Sequence, residues 1–178
     1  MRKLSAGLFV ALDGVVEAPE KWHFPYANEE MNAVVEATGA EADTLLLGRK
    51  TYEIFVDFWP KLQGEMADQI NNSAKLVVST TLPEVDAGWN ASLLDGDVVE
   101  TVTALKKQPG RDISVIGSIS LVRQLLRTKV LDELRLLIHP IAVGSGDRLF
   151  AEGDPLPLKL ASSTTFSTGV VYAIYQPA

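Results

Sequence analysis

No cysteine occurs among the 178 residues, and histidine is nearly as scarce, with only His23 and His139. The first absence removes thiol catalysis, Cys-ligated zinc and a disulfide framework, and the second argues against a His-rich metal centre. Basic side chains number 16 against 23 acidic, a net charge of −7. The chain therefore lacks the basic stripe that nucleic acid or an anionic membrane surface requires. Long hydrophobic runs are missing as well. Leu8 to Leu12 and Thr44 to Leu47 are strand-sized, far short of the roughly 20 residues of a membrane span. Behind Met1-Arg2-Lys3 the apolar stretch is broken at Asp13, with no small-residue cleavage site after it, so no secretory leader is expected. These absences predict a cytoplasmic protein with no metal, no nucleic-acid partner and no membrane partner. No repeat, linker or charge block interrupts the chain, so residues 1–178 are expected to form a single domain. Its length allows roughly 70% of the unfolded surface to be buried without staples.

What is present alternates between short apolar runs and helical spacing. Lys3 to Ala11 predicts a strand ending at Asp13-Gly14, followed by an aromatic loop with Trp22, His23, Phe24 and Tyr26. From Asn28, a candidate N-cap, Met31, Val34, Val35 and Thr38 share one helical face, with Gly39 as the expected stop. Strands are predicted at Thr44 to Leu47, Lys75 to Val78, Ala91 to Leu94, Asp112 to Ile116 and Glu133 to Val143, with further strands around Ser167-Thr168-Gly169. Helices are predicted after Gly48, over Gly64 to Asn72, behind the cap Asp97, and through Leu121, Val122, Leu125 and Leu126. Strands alternating with helices point to an α/β fold, a mainly parallel sheet covered on both faces, with antiparallel C-terminal strands.

Three strand ends share one design: Gly48-Arg49-Lys50-Thr51, Ser79-Thr80-Thr81 and Gly117-Ser118-Ile119-Ser120. Ligands of parallel sheets bind outside the carboxyl ends of the strands, where helix N-termini offer free N–H groups to anions. Arg49 and Lys50 add cations, and the hydroxyls of Thr51, Ser79 and Thr80 can each bond a phosphate oxygen. Taken singly, each junction also reads as a turn or a helix cap. Neither G-x-G-x-x-G after the first strand nor the Walker phosphate loop is present.

In this order, Ala11-Leu12-Asp13-Gly14, Leu47 to Glu53, Val77 to Thr81, Val115 to Ser118, and His139-Pro140-Ile141 with Gly144-Ser145-Gly146 and Leu149-Phe150 resemble the dihydrofolate reductase-like superfamily. The branch is that of the RibD C-terminal domain, the reductase of bacterial riboflavin biosynthesis. The resemblance spans about the whole chain and implies a three-layer α/β/α fold, NADPH as hydride donor, and a homodimer. It implies reduction of a pyrimidine- or pteridine-like heterocycle, as by 5-amino-6-(5-phosphoribosylamino)uracil reductase or dihydrofolate reductase. The alternative is a non-catalytic nucleotide-binding or dimeric structural protein on the same fold. By resemblance, Arg49, Thr51, Ser79 and Thr80 surround the adenosine 2′-phosphate of the cofactor and its neighbouring groups, and Gly117, Ser118 and Ile119 its pyrophosphate, with Gly48, Lys50 and Ser120 as further cofactor-binding candidates. Ile119 and Ser120 stand where the family often has small residues or a cation. On the substrate side Asp13 and Glu29 are the candidate catalytic carboxylates. Trp22 and Phe24 are candidate substrate contacts on a lid. The zinc deaminase of the bifunctional riboflavin enzyme, with its Cys-x-x-Cys signature, has no counterpart in a chain without cysteine.

Overall fold

The computed structural model describes residues 1–150, 153 and 155–178. Eight strands form one sheet: β1 (Leu4–Ala11), β2 (Ala42–Gly48), β3 (Ala74–Val78), β4 (Ala91–Leu93), β5 (Asp112–Ile116), β6 (Glu133–His139), β7 (Leu158–Thr165) and β8 (Val171–Pro177). Their order is β4-β3-β2-β5-β1-β6-β8-β7. β1 to β6 run parallel, and β8 lies antiparallel between β6 and β7.

Five helices cover it: α1 (Glu29–Glu41), α2 (Arg49–Phe58), α3 (Glu65–Asn72), α4 (Val98–Lys106) and α5 (Ile119–Arg127). The even residues of β1, Leu4, Ala6, Leu8 and Val10, pack with Val102 of α4 and with Leu121, Val122, Leu125 and Leu126 of α5. That stripe at helical spacing makes α5 form against the sheet, and truncating a fully buried member such as Leu125 to alanine costs about 2 to 5 kcal/mol. On the opposite face Leu45, Leu47 and Val77 meet Tyr52 of α2 and Ile70 of α3, while Met31 of α1 meets Leu137. The three-layer α/β/α arrangement and the mainly parallel sheet are thus as the sequence predicts.

The caps hold where they are expected. Asn28 accepts the N–H of Met31 at 2.9 Å, and Asp97 accepts that of Glu100 at 3.0 Å. Two boundaries differ. Gly39 does not stop α1, which runs on to Glu41 because the glycine lets α3 come close: a Cβ there would stand 2.5 Å from Gln69 Oε1. The strand expected through Val143 ends at His139, since Pro140 has no N–H to continue the ladder. β6 is interior, paired on one edge with β1 and on the other with β8.

Polar groups gather toward the amino ends of the strands. Arg2 pairs with Asp43, Lys106 with Asp132 at 2.6 Å, and Arg135 with both Glu133 and Glu41 at 2.7 Å. The carboxyl ends lack such a network among the described residues, and there the three candidate strand-end junctions converge.

Candidate functional site

β3, β2 and β5 are neighbours, so the three predicted junctions emerge side by side, with Gly48 opposite Val78 and Leu46 opposite Val115. The Gly48 N–H donates to Ser118 Oγ at 2.8 Å, and the Ser118 N–H donates to Thr51 Oγ1 at 3.0 Å. Gly117 adopts φ +59°, and a Cβ there would lie 3.0 Å from Thr51 Oγ1, so this close approach of two loops needs glycine. The chain thereby knots the start of α2 to the start of α5.

Neither helix has a side-chain cap at its N-terminus. The first-turn N–H groups of α5, on Ile119 and Ser120, therefore have no side-chain cap and carry the partial positive charge of a helix start. Arg49 is about half exposed and only loosely paired with Glu53 at 3.6 Å, and Lys50 is exposed beside it. Ser79 Oγ accepts the N–H groups of Thr81 at 3.2 Å and Leu82 at 3.0 Å, while Thr80 is exposed. Thr51 and Ser79 both spend acceptor capacity on backbone N–H groups, which leaves each O–H proton to donate to an anion.

On the other side of the site, Asp13 follows β1. Its Oδ2 accepts the Gly144 N–H at 2.7 Å, whereas Oδ1 is buried with no partner. The Gly144 N–H first of all holds this carboxyl below its ordinary range, against a smaller opposing effect of burial. Asp13 is an acceptor held ionised. Glu29 is exposed in the first turn of α1. Its neighbour Glu30 binds the Ser167 N–H at 2.8 Å and hydroxyl at 2.6 Å, tying α1 to the turn between β7 and β8.

Trp22 and Phe24 have opposite surroundings. Trp22 is buried against Ala11 and Val15 and donates Nε1–H to Glu17 O at 3.1 Å; Phe24 is exposed. Between them His23 stacks on Phe9 with ring centroids 4.7 Å apart. His139, fully buried, bonds Leu137 O through Nδ1 at 2.8 Å, and its Nε2 has no partner. The rings of Phe9, Trp22, His23 and Tyr26 surround it edge-on, 5.2 to 6.1 Å away. Burial pushes both imidazoles toward neutrality, and in His23 the proximity of His139 adds to this. Sequence reasoning placed His23 on the lid but did not join it to His139, because the two meet only through the β1–β6 pairing.

At mid-sheet, Gly7 and Phe9 of β1 and Ile116 of β5 are only half-buried, although their strands are interior. Phe9 is met by the apolar cluster of Met31, Val34 and Val35 of α1 with Leu137 and by the His23 ring, while a Cβ at Gly7 would meet nothing within 4 Å. A separate open hollow of about 520 Å³ lies beside Asp43 and Arg111 at the amino ends of the strands, lined also by Glu65 and Asp68 in the first turn of α3.

The sheet order, with helices on both faces and antiparallel C-terminal strands, defines a three-layer α/β domain. The chain belongs to the RibD C-terminal domain family, whose profile it matches over residues 2–172. It is 31% identical over 180 residues to the uncharacterized protein YyaP of Bacillus subtilis (strain 168), covering 98% of this chain and 94% of that one. YwjB of the same organism, also uncharacterized, is 24% identical over 173 residues and 95% of each chain. Among solved structures, a Shewanella sp. PV-4 protein assigned by name to riboflavin biosynthesis superposes with TM-score 0.78 at 20% identity, over 99% of both chains. A pyrimidine reductase-like protein of Corynebacterium diphtheriae gives 0.70 at 13% identity, over 99% of this chain and 92% of that one. These two likenesses establish the fold. No helix among the described residues is long and apolar enough to cross a membrane.

Proposed function

We propose that the protein is an NADPH-dependent reductase of a small flat heterocycle of pyrimidine or pteridine type, akin to the reductase step of riboflavin biosynthesis. Membership of the RibD C-terminal family and the pyrimidine reductase-like neighbour support the reaction class. The observation that carries it is the knot of Gly48, Thr51, Gly117 and Ser118, which sets the uncapped start of α5 beside Arg49 and Lys50.

The residues present fit a dinucleotide with a 2′-phosphate. Arg49, Lys50, Ser79 and Thr80 hold the phosphate at the adenosine end, and the N–H groups of Ile119 and Ser120 hold the pyrophosphate. When bound, the nicotinamide supplies a hydride. Asp13, kept ionised by Gly144, is the acceptor at the end of β1 that orients an N–H of the acceptor ring; the proton that follows the hydride comes from water. Phe24 closes over the ring from the lid, with Trp22 as the lid's packed base. Glu29 adds negative charge at the mouth.

Titration with NADPH and NADH, followed by the fluorescence of Trp22, Trp59 and Trp89, tests the reading. Arg49→Ala should weaken NADPH by about ten- to a hundredfold, roughly 1.5 to 3 kcal/mol, and leave NADH nearly unchanged. Equal losses make Arg49 structural, and no binding of either cofactor defeats the proposal. A non-catalytic nucleotide-binding protein is the rival reading, favoured by the absence of a neutral carboxylic acid at Asp13. Binding of NADPH without turnover of any pyrimidine or pteridine would decide for it.

A further inference from the structure

Residues 19–26 form two short 3₁₀ turns, Pro19–Lys21 and Phe24–Tyr26, beside the carboxyl ends of β1 and β6. Their hydrogen bonds among the described residues all stay between positions 17 and 27. The N–H groups of Lys21, Trp22 and His23 return to Ala18 and Pro19, those of Tyr26 and Ala27 to His23 and Phe24, and the Trp22 indole N–H to Glu17. No ion pair among the described residues ties this segment to the sheet either. Side-chain packing alone attaches it. The chain enters it through Ala18 at φ +48°, a left-handed conformation that strains a residue with a Cβ.

The packing centres on His139. Its Nδ1 bonds Leu137 O, and a carbonyl can only accept, so the ring proton is on Nδ1 and Nε2 carries a bare lone pair. That nitrogen is buried without a partner, as is Nδ1 of His23 on the lid itself. The rings of Trp22, His23 and Tyr26 stand at 80° to 89° to the His139 ring, with centroids 5.2 to 6.1 Å away. β1 completes the cage with Phe9, and β8 brings Val171 opposite the neighbouring Ile138. The charged groups around it are occupied elsewhere or exposed: Asp13 after β1 turns to Gly144, Glu30 of α1 to Ser167, and Glu17, Glu20 and Lys21 lie at the surface. Burial first, then the His139 ring, opposes a charge on His23, which Glu20 favours. A proton on His139 Nε2 would be a buried charged donor with no acceptor.

We propose that His139 is a pH-operated latch: residues 19–26 stay shut on the neutral imidazole and swing off the sheet, about Ala18 and Asn28, when it takes up a proton. Opening gives the new N–H water to donate to and relaxes Ala18, at the cost of exposing Trp22 and Tyr26. It is a local event, because the β1–β6 ladder does not pass through the lid. Acid thereby uncovers Ala11 and Val15 beside Asp13. The latch stands whether or not the protein is a reductase.

Hydrogen exchange of the full chain reads the lid, and 15N-labelled histidine, present at two positions only, reads the latch. Isolated 3₁₀ turns do not hold in water, so a lid off the sheet exchanges freely. Between pH 7.5 and 5 the protection of the Lys21, Trp22 and His23 amides, corrected for intrinsic exchange, should fall about tenfold or more, in step with protonation of His139, while β1 and β6 stay protected. A histidine neutral in the closed lid and titrating near 6.5 in the open one supplies up to about thirtyfold. His139→Gln should remove most of this pH dependence, and His23→Gln a smaller part. Equal protection at both pH values overturns the latch, as does greater protection at pH 5, which would make the rings a cage for the imidazolium. So does loss in step with β1 and β6, which is global unfolding, and so does a pH dependence that survives His139→Gln or vanishes in His23→Gln. If His139→Gln does not fold, the native protein decides: His139 titrating under a closed lid, or a lid that opens over a neutral His139, defeats the proposal.

Discussion

Thr51 Oγ1 takes two hydrogen bonds from Ser118, 67 positions away in the chain, from its N–H at 3.0 Å and its hydroxyl at 3.2 Å. That single oxygen couples the first turn of α2 to the start of α5. Thr51→Val keeps the shape but strands the Ser118 N–H, so it should cost about 1 to 3 kcal/mol of stability. NADPH affinity should fall with it, since both halves of the anion site lose their common anchor. Urea denaturation and NADPH titration read the two effects, and a variant with neither change would show the link to be incidental.

Asp13→Asn retains an oxygen for the Gly144 N–H and removes the charge. Once a substrate is in hand, turnover should drop by about tenfold or more with NADPH affinity unchanged, and Glu29→Gln should do less. If Asp13→Asn unfolds the protein instead, the residue serves the turn alone.

Acid should destabilise the fold through its two histidines. Unfolded, each imidazole takes up a proton near pH 6.5; folded, burial keeps both neutral to lower pH. The unfolded chain thus binds more protons below 6.5, and stability falls as pH drops from 6.5 toward the depressed folded values. The carboxylates held low, such as Glu133 and Asp43, lose their contribution only below the carboxylate range. Melting temperatures between pH 7 and 5 should therefore decline in the native protein and decline less in His139→Gln. Identical slopes would remove His139 from the account.

Lys75 is fully buried in β3, its Nζ 4.2 Å from the Trp89 ring centre and 2.7 Å from Asn71 O, with no acidic partner among the described residues. Burial pushes its pKa down to about 8. Between pH 8 and 10.5 the unfolded chain holds the extra proton, so stability rises with pH across that window, by up to roughly 3 kcal/mol. Lys75→Met should raise the melting temperature at pH 7 and flatten the profile from pH 8 to 10.5. A lower melting temperature at pH 7 would mean that Trp89 and Asn71 fully compensate the charge.

A homodimer is expected through β7. It is the outer strand, exposed along its length apart from Leu158, with Leu160 half exposed. An open edge of this kind readily pairs with another chain. Light scattering should give twice the single-chain mass, and Leu160→Glu should give one chain. A monomer at micromolar concentration rules this out.

The elements were legible because their signals are local. Asn28 and Asp97 cap their own helices, and the α5 stripe needs only its own spacing. The three strand-end junctions could also be read, but the sequence left open what their hydroxyls bond. Thr51 turns to Ser118 and Asp13 to Gly144, partners that exist only after the sheet has formed. The alternation of β1 showed the apolar core face plainly. Its other face, with Ser5, Gly7 and Phe9, takes its neighbours from β5 and β6, which meet β1 only in the folded sheet.

The position of β1 has a consequence for how the chain reaches its native state during synthesis. Lys3, at its head, bonds Asp112 across 109 positions and Glu133 across 130. β1, made before the other seven strands of this sheet, is therefore central in it, yet its two partners are the fifth and sixth of the eight to be made. Its apolar faces must wait unpaired while most of the polypeptide emerges, so contact order is high, folding is slow, and the nascent chain is the form most exposed to aggregation.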